Sequence, residues 1–281
     1  MAICSMYCFA YSGGTVLSKC LGAISKDVVL ISEVNPLFNG IKARVAGYHL
    51  PDLHFSSKEF VDQIVELQTY CNSHDKFLIV RDWTYINFHP HSFNGSAAPP
   101  NRLLLHECLK EKTKVKGFAF VRDAIDVCIS HSCTSGFFNH YEQYVEELTK
   151  YPEIRIFKYE DFCRDPENLL QELCDYIELE YSEAWKNFAS FTNVSGDTGE
   201  SKKLSRGGRK NYIFLPKRKR VSQRNIKRIN QSEEMRKVNQ LLGYPTHYNH
   251  GYVDQSLKKR AIEEARPYWQ GVKKIVRAVS T

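Results

Sequence analysis

An α/β fold, a central parallel sheet covered on both faces by helices, is the class this sequence predicts, and three observations predict it. Five runs of strand length, Met6–Ala10, Val28–Ile31, Phe77–Val80, Phe118–Val121 and Ile154–Phe157, are almost continuously apolar, as strands buried on both faces are. Stretches of helical periodicity separate them, and such alternation marks parallel strands joined by crossover helices. The first run leads into a glycine turn, Tyr11-Ser12-Gly13-Gly14-Thr15, and then into a helix-compatible stretch, Val16–Ala23. Ligands of such folds gather at the carboxyl ends of the strands.

The remaining elements follow from local signals. Lys58–Cys71 carries Phe60, Val61, Ile64, Val65 and Leu67 at helical spacing, with Ser56 or Ser57 placed to cap it. Leu103–Leu109, Ala124–Cys133 and Phe138–Leu148 read as further helices. Asp165-Pro166-Glu167 opens another that runs to about Ile177, since proline is tolerated in a first turn. Asn94–Pro100 reads as a loop over one strand end. Beyond Ser190 the texture changes: Phe191–Ser205 is polar, a basic run follows, and two helices, Glu233–Leu242 and Gln255–Val279, close the chain, the second interrupted at Pro267. One domain over 1–281 is expected, with an α/β core over 1–215 and a basic segment with C-terminal helices over 216–281.

At 281 residues, 42% of them hydrophobic, the chain has the apolar content for a sizeable core. No apolar run approaches a membrane span, and the first strand begins too early to leave room for a secretion signal, so a soluble, cytoplasmic protein is expected. The nine cysteines lack CxxC pairs. That fits buried reduced thiols, Cys4, Cys8, Cys20, Cys128 and Cys174 among them, and no metal site. The formal net charge of +7 is concentrated: twelve Lys or Arg and no Asp or Glu lie between Lys202 and Arg228, and the rest of the chain is mildly acidic. Such a segment calls for an anionic partner or for full solvation.

A strand, a tight glycine turn and a helix start together make an anion site, because free backbone N–H groups and the positive end of the helix dipole converge there. The turn lacks the spacing and the lysine of a Walker A loop. Three later segments add to it. Val121-Arg122-Asp123 follows the fourth strand, with Ser130 eight residues after Arg122. Lys158-Tyr159-Glu160-Asp161 follows the fifth, and Ser205-Arg206-Gly207-Gly208-Arg209-Lys210-Asn211 stands further on. Arginine supplies a planar fork of donors and serine a hydroxyl, which suits a second phosphate site on the same sheet edge.

From about Tyr7 to Asn211 this constellation resembles the sulfotransferases that use 3′-phosphoadenosine 5′-phosphosulfate (PAPS). The resemblance implies a P-loop NTPase-like sulfotransferase fold and transfer of a sulfuryl group from PAPS to an acceptor hydroxyl of a small molecule or carbohydrate. The product would be 3′,5′-ADP, with no metal required and no stable nucleic-acid partner. It also implies roles. Tyr11, Ser12, Gly13, Gly14, Thr15 and Val16 wrap the 5′-phosphosulfate. Arg122 and Ser130 hold the 3′-phosphate, Tyr159 helps bind the adenine, and Arg206, Gly207 and Gly208 close over the 3′-phosphate.

One departure bears on the chemistry. Tyr11 stands where the family carries a lysine or arginine, and a phenol brings no positive charge; Arg81, after the third strand, or Lys19, one turn into the first helix, is in position to replace it. For the general base Glu33 ranks first, because it ends the second strand on the edge that bears the glycine turn. Protein-tyrosine and heparan N-sulfotransferases place a glutamate base there. Asp82 ranks second: it ends the third strand, where cytosolic enzymes carry Lys-Thr-His, and Trp83 falls at the histidine of that segment. His89 and His91 rank third.

Plainer readings stand beside these. Arg81-Asp82 also reads as a strand-end ion pair, Asp123 as a helix cap, Trp83 as a packing residue, and His54, His74, His106 and His140 as surface or satisfied core residues. Pro216-Lys217-Arg218-Lys219-Arg220 matches nuclear-localisation and nucleic-acid patches but reads by default as a solvated face. The rival functions are a P-loop-like phosphotransferase and a catalytically weak nucleotide- or nucleic-acid-binding protein of the same fold.

Overall fold

The computed structural model of the chain describes residues 2–90, 98–131, 136–194, 213–215 and 218–248. Five strands, β1 (Ile3–Tyr7), β2 (Val28–Val34), β3 (Phe77–Asp82), β4 (Val115–Val121) and β5 (Arg155–Lys158), form one parallel sheet in the order β2-β3-β1-β4-β5. After β1 the chain leaves toward the β2 edge, and after β4 toward β5. The order reverses between β1 and β4, and the crevice outside the carboxyl ends of these two strands is where such sheets bind ligands.

The pleat divides the core in two. Ile3 and Tyr7 of β1, Ala119 and Val121 of β4, and Val29 and Ile31 of β2 face one layer; Cys4 and Met6, Phe118 and Phe120, and Val28 and Leu30 face the other. The first layer is covered by α2 (Ile41–Val45), α3 (Phe60–Ser73), α5 (Leu104–Lys110), α6 (Ala124–Ser130), α7 (Phe137–Thr149) and α11 (Glu233–Leu242). The second is covered by α1 (Gly14–Ile24), α8 (Tyr159–Arg164), α9 (Pro166–Ile177) and a 3-10 helix, Glu183–Ser190. Short α4 (Tyr85–Phe88) and basic α10 (Gln223–Gln231) complete the described helices.

Several boundaries move from their expected places. β1 ends at Tyr7 rather than Ala10, because Cys8, Phe9 and Ala10 are apolar for a different reason. Phe9 leaves the sheet and packs against Tyr141 (5.2 Å between ring centroids) and Tyr144 (5.5 Å) beneath the glycine turn. Glu59 takes the N-cap position of α3 without a side-chain hydrogen bond, and Ser56 and Ser57 do not cap the helix; their amides donate to Glu66 instead. Asp165 does cap α9, accepting from the Asn168 amide at 3.1 Å with Pro166 in the first turn. The five cysteines expected to be buried are buried. The last helix expected, Gln255–Val279, and Arg206, Gly207 and Gly208 lie outside the described residues, as does His91.

The basic segment is not simply a solvated face. Arg218 is folded in: its guanidinium ion-pairs with Asp123, and with Asp126 at 2.9 Å, on either side of the α6 start. Asp123 caps α6 through the Ile125 amide (2.9 Å). Asn239 of α11 donates to the same carboxylate (2.9 Å) and accepts from the Ala124 amide (3.0 Å). A fold-internal role for Arg218 weakens the address-motif reading of residues 216–220, since that reading needs an accessible run.

Candidate functional site

Tyr11 and Gly13 both take the left-handed backbone region, at φ 67° and 87°, and Gly13 is the N-cap of α1. Tyrosine rarely adopts that region, so its conformation is held by its surroundings. Among the described residues no side chain caps α1 and no acid sits in its first turn. The Val16 amide donates to the Gly13 carbonyl at 3.1 Å, while the Gly14 and Thr15 N–H groups have no partner inside the helix and stand at the positive end of the dipole. Ser12 Oγ is buried beside them without a hydrogen-bond partner among the described residues. Both glycines are required by close approach. A Cβ at Gly13 would fall 2.4 Å from the Tyr159 ring, and one at Gly14 would fall 2.3 Å from Cys8 Sγ. Thr15 and Val16 are half-buried on the first turn of α1.

Arg122 joins this turn to the end of β4. Its Nη1 donates to the Tyr11 carbonyl at 3.2 Å, and its guanidinium lies 4.5 Å from the centre of the Tyr159 ring. The Tyr141 hydroxyl fixes its backbone, donating to the Arg122 carbonyl at 2.8 Å. Arg122, Tyr159 and Gly13 therefore form one continuous wall at the crevice. Ser130 ends α6 and has no hydrogen bond to Arg122. The ring of its neighbour His131 meets Tyr11 edge-on at 5.3 Å.

On the other side of the turn stands Arg81. It is buried, its Nη1 donates to Ser32 Oγ at 3.1 Å, and its Nη2 lies 3.3 Å from where a Gly14 Cβ would be. A positive charge thus sits against the glycine turn from β3, although Tyr11 brings none. Lys19, the other candidate, is half-buried on α1 and makes no ion pair with a described carboxylate.

Glu33 reaches Arg81 from β2, Oε1 to Nη2 at 3.8 Å. The register with β3 slips between Ser32 and Val34, and Glu33 occupies this bulge at φ 56°. A left-handed glutamate is strained by about 1–3 kcal/mol, and a bulge re-aims its side chain out of the regular pleat. Here the side chain is turned toward Arg81 and remains 18% exposed.

Asp82 is placed differently. It is 1% exposed, and its carboxylate accepts from Asn35 Nδ2 at 2.7 Å and Asn87 Nδ2 at 3.5 Å, which ties the strand ends to α4. Burial pushes its pKa up to about 7 despite these donors. The folded state holds the proton more tightly than the unfolded chain, so its stabilising effect is present at low pH and is lost as pH rises through about 7. Asp82→Asn is expected to gain stability relative to the parent by roughly 2–4 kcal/mol between pH 4 and pH 8, read from urea midpoints. A constant difference across that range would mean that Asp82 is charged in the fold throughout.

Two groups were missed by sequence reasoning. Glu160, next to Tyr159, is buried; it accepts from the Asp123 amide at 3.2 Å and from the Tyr244 hydroxyl at 2.6 Å. It thereby clamps the β4 and β5 ends to the segment after α11. His140, expected to be unremarkable, meets His89 edge-on at 4.8 Å; His89 in turn stacks on Tyr85 at 4.6 Å and lies 5.9 Å from His131. Burial, with His89 nearby, lowers the pKa of both His131 and His140. His106 fits its plain reading: it is buried and bonded to Tyr7 Oη at 3.0 Å. Trp83 packs edge-on to Phe38 at 5.4 Å beside the strand ends.

Among the described residues no helix is long and apolar enough to cross a membrane, and no group of His, Cys, Asp or Glu is arranged to hold a metal ion. No protein-family model and no curated protein matches the chain. The chain is similar in structure to the sulfotransferase domain of the Synechococcus PCC 7002 olefin synthase, with a TM-score of 0.55 at 16% identity over 87% of this chain and 95% of that one. It is also similar to the sulfotransferase domain of the curacin biosynthetic pathway, with a TM-score of 0.54 at 14% identity over 87% of this chain and 98% of that one. The chain has the P-loop-like α/β fold of sulfotransferases.

Proposed function

We propose that this protein transfers a sulfuryl group from PAPS to an acceptor hydroxyl and releases 3′,5′-ADP. The observation that carries this reading is the position of Arg122, which touches the glycine-turn carbonyl and the Tyr159 ring together. A nucleotide phosphorylated at both ends needs two anion sites on one sheet edge, and these residues supply them side by side. The geometry fits the donor on three further counts: an uncapped helix N-terminus, a cradle that a Cβ would fill at Gly13 and Gly14, and the buried Ser12 hydroxyl.

The donor brings an already electrophilic sulfur. The acceptor oxygen bonds to that sulfur, the S–O bond to the phosphate breaks, and the electron pair stays on the phosphate of 3′,5′-ADP. The turn amides hold the 5′ end and Arg122 with Tyr159 holds the other. Arg81, against Gly14, stabilises charge that grows on the leaving phosphate. Glu33 takes the acceptor proton, and Trp83 and Phe38 form an apolar wall beside it. Residues 218–248, bolted to the Arg122–Asp123 turn through Arg218, Asn239 and Tyr244, belong to the same functional unit.

Calorimetry with 3′,5′-ADP and 5′-AMP tests the reading. The doubly phosphorylated ligand is expected to bind at least tenfold more tightly, and Arg122→Ala to remove that preference while leaving 5′-AMP affinity nearly unchanged. Equal affinity for the two ligands, or turnover of ATP, would favour the phosphotransferase reading instead.

A further inference from the structure

A cavity of ≈ 470 Å³ opens between the start of α7 and the outer face of α10, away from the glycine turn. Arg224, Lys227 and Arg228 line it from α10, and Gly136 and Asn139 from α7. Arg224 has Lys227 at i+3 and Arg228 at i+4, so each neighbours it on the helix surface with about 5–6 Å between Cβ atoms. Arg224 and Lys227 are exposed and have no ion pair with a described carboxylate. The one acid among the described lining residues, Glu234, is already engaged by Ser232 Oγ at 2.7 Å, within the cap of α11. Opposite the cations, Gly136 (φ 75°) is the N-cap of α7, which has no capping side chain and no acid in its first turn among the described residues.

We propose that this cavity is a second anion-binding site that takes one compact phosphate or sulfate group. Its cations form a cluster in a concavity, where a nucleic-acid backbone would need a longer stripe. A chain of ring contacts links the cavity to the turn: Gly136 lies against His140, with 3.7 Å between His140 Nε2 and the place of a Cβ, and His140, His89 and His131 lead by successive ring contacts to Tyr11. The group it takes is a phosphate or sulfate ester carried either by the acceptor or by a separate small effector.

The test is titration of inorganic phosphate into the full chain, its Arg122→Ala variant and an Arg224→Ala/Lys227→Ala double variant, by calorimetry. All three are first checked for unchanged melting temperature. Both cavity side chains are exposed, so the double variant is expected to fold. Phosphate binding that survives Arg122→Ala and weakens at least tenfold in the double variant supports the site, whatever becomes of the PAPS reading. Binding abolished by Arg122→Ala but unchanged in the double variant overturns it, since the only anion site is then the turn. No binding to the parent protein overturns it as well. So does tighter, strongly salt-dependent binding of a single-stranded oligonucleotide lost in the double variant, which makes this face a nucleic-acid surface. The two sources separate in turnover: an acceptor-borne ester gives a raised KM with kcat unchanged in the double variant, whereas an effector changes turnover without competing with the acceptor. Either result sustains the site.

Discussion

Arg81→Met is expected to slow sulfuryl transfer by about a hundredfold to a thousandfold, the loss typical of removing one preorganised group that stabilises developing charge. The hydrolysis of PAPS to 3′,5′-ADP and sulfate measures it with water as the acceptor. The expectation rests on place and burial. Arg81 reaches Gly14 from β3 and is held by Ser32 and Glu33 with little contact with water, so its charge acts in a medium of low dielectric. Affinity for 3′,5′-ADP is expected to change only a few-fold, since the Arg122 and turn contacts remain. Arg81→Lys keeps the charge but not the fork and is expected to fall between. The decisive comparison adds Tyr11→Arg to Arg81→Met. Recovery of rate in that double variant identifies missing charge as the defect, while an equally slow double variant assigns Arg81 to the architecture of β3.

The glycine turn and the strand end that carries Arg122 were legible because they depend on short-range chemistry. Only glycine tolerates both the backbone angle and the close approach of Tyr159 at Gly13, and a strand-to-helix turn follows from neighbouring residues alone. β1 was read three residues too far because Phe9 is apolar for the aromatic cluster under the turn rather than for the sheet, and composition does not separate the two. α10 went unread because Ile226 and Ile229 are its only apolar residues, although Ser222, which caps it through the Asn225 amide at 3.3 Å, was a usable signal. The Asp123–Asn239–Arg218 and Glu160–Tyr244 clamps join residues 84 to 116 positions apart, so only the tertiary fold creates them. The same holds for His89, His131 and His140.

Glu33 carries the second large effect. The register slip in β2 places it at a strained left-handed angle with its side chain toward Arg81 and partly open to water, a position from which it can meet an acceptor proton. Asp82, by contrast, is sealed behind Asn35 and Asn87. Glu33→Gln keeps the length, the bulge and a polar contact to Arg81 but cannot accept a proton. PAPS-dependent turnover is therefore expected to fall by about 10²–10⁴-fold, the range for loss of a positioned general base, while 3′,5′-ADP affinity stays within about twofold. The split between rate and affinity separates proton transfer from donor binding. Asp82→Asn and His89→Ala are the controls and are expected to retain most of the rate. If Glu33→Gln stays active and one of the controls does not, the proton goes to that residue, and the bulge at Glu33 then serves to hold Arg81 against the turn.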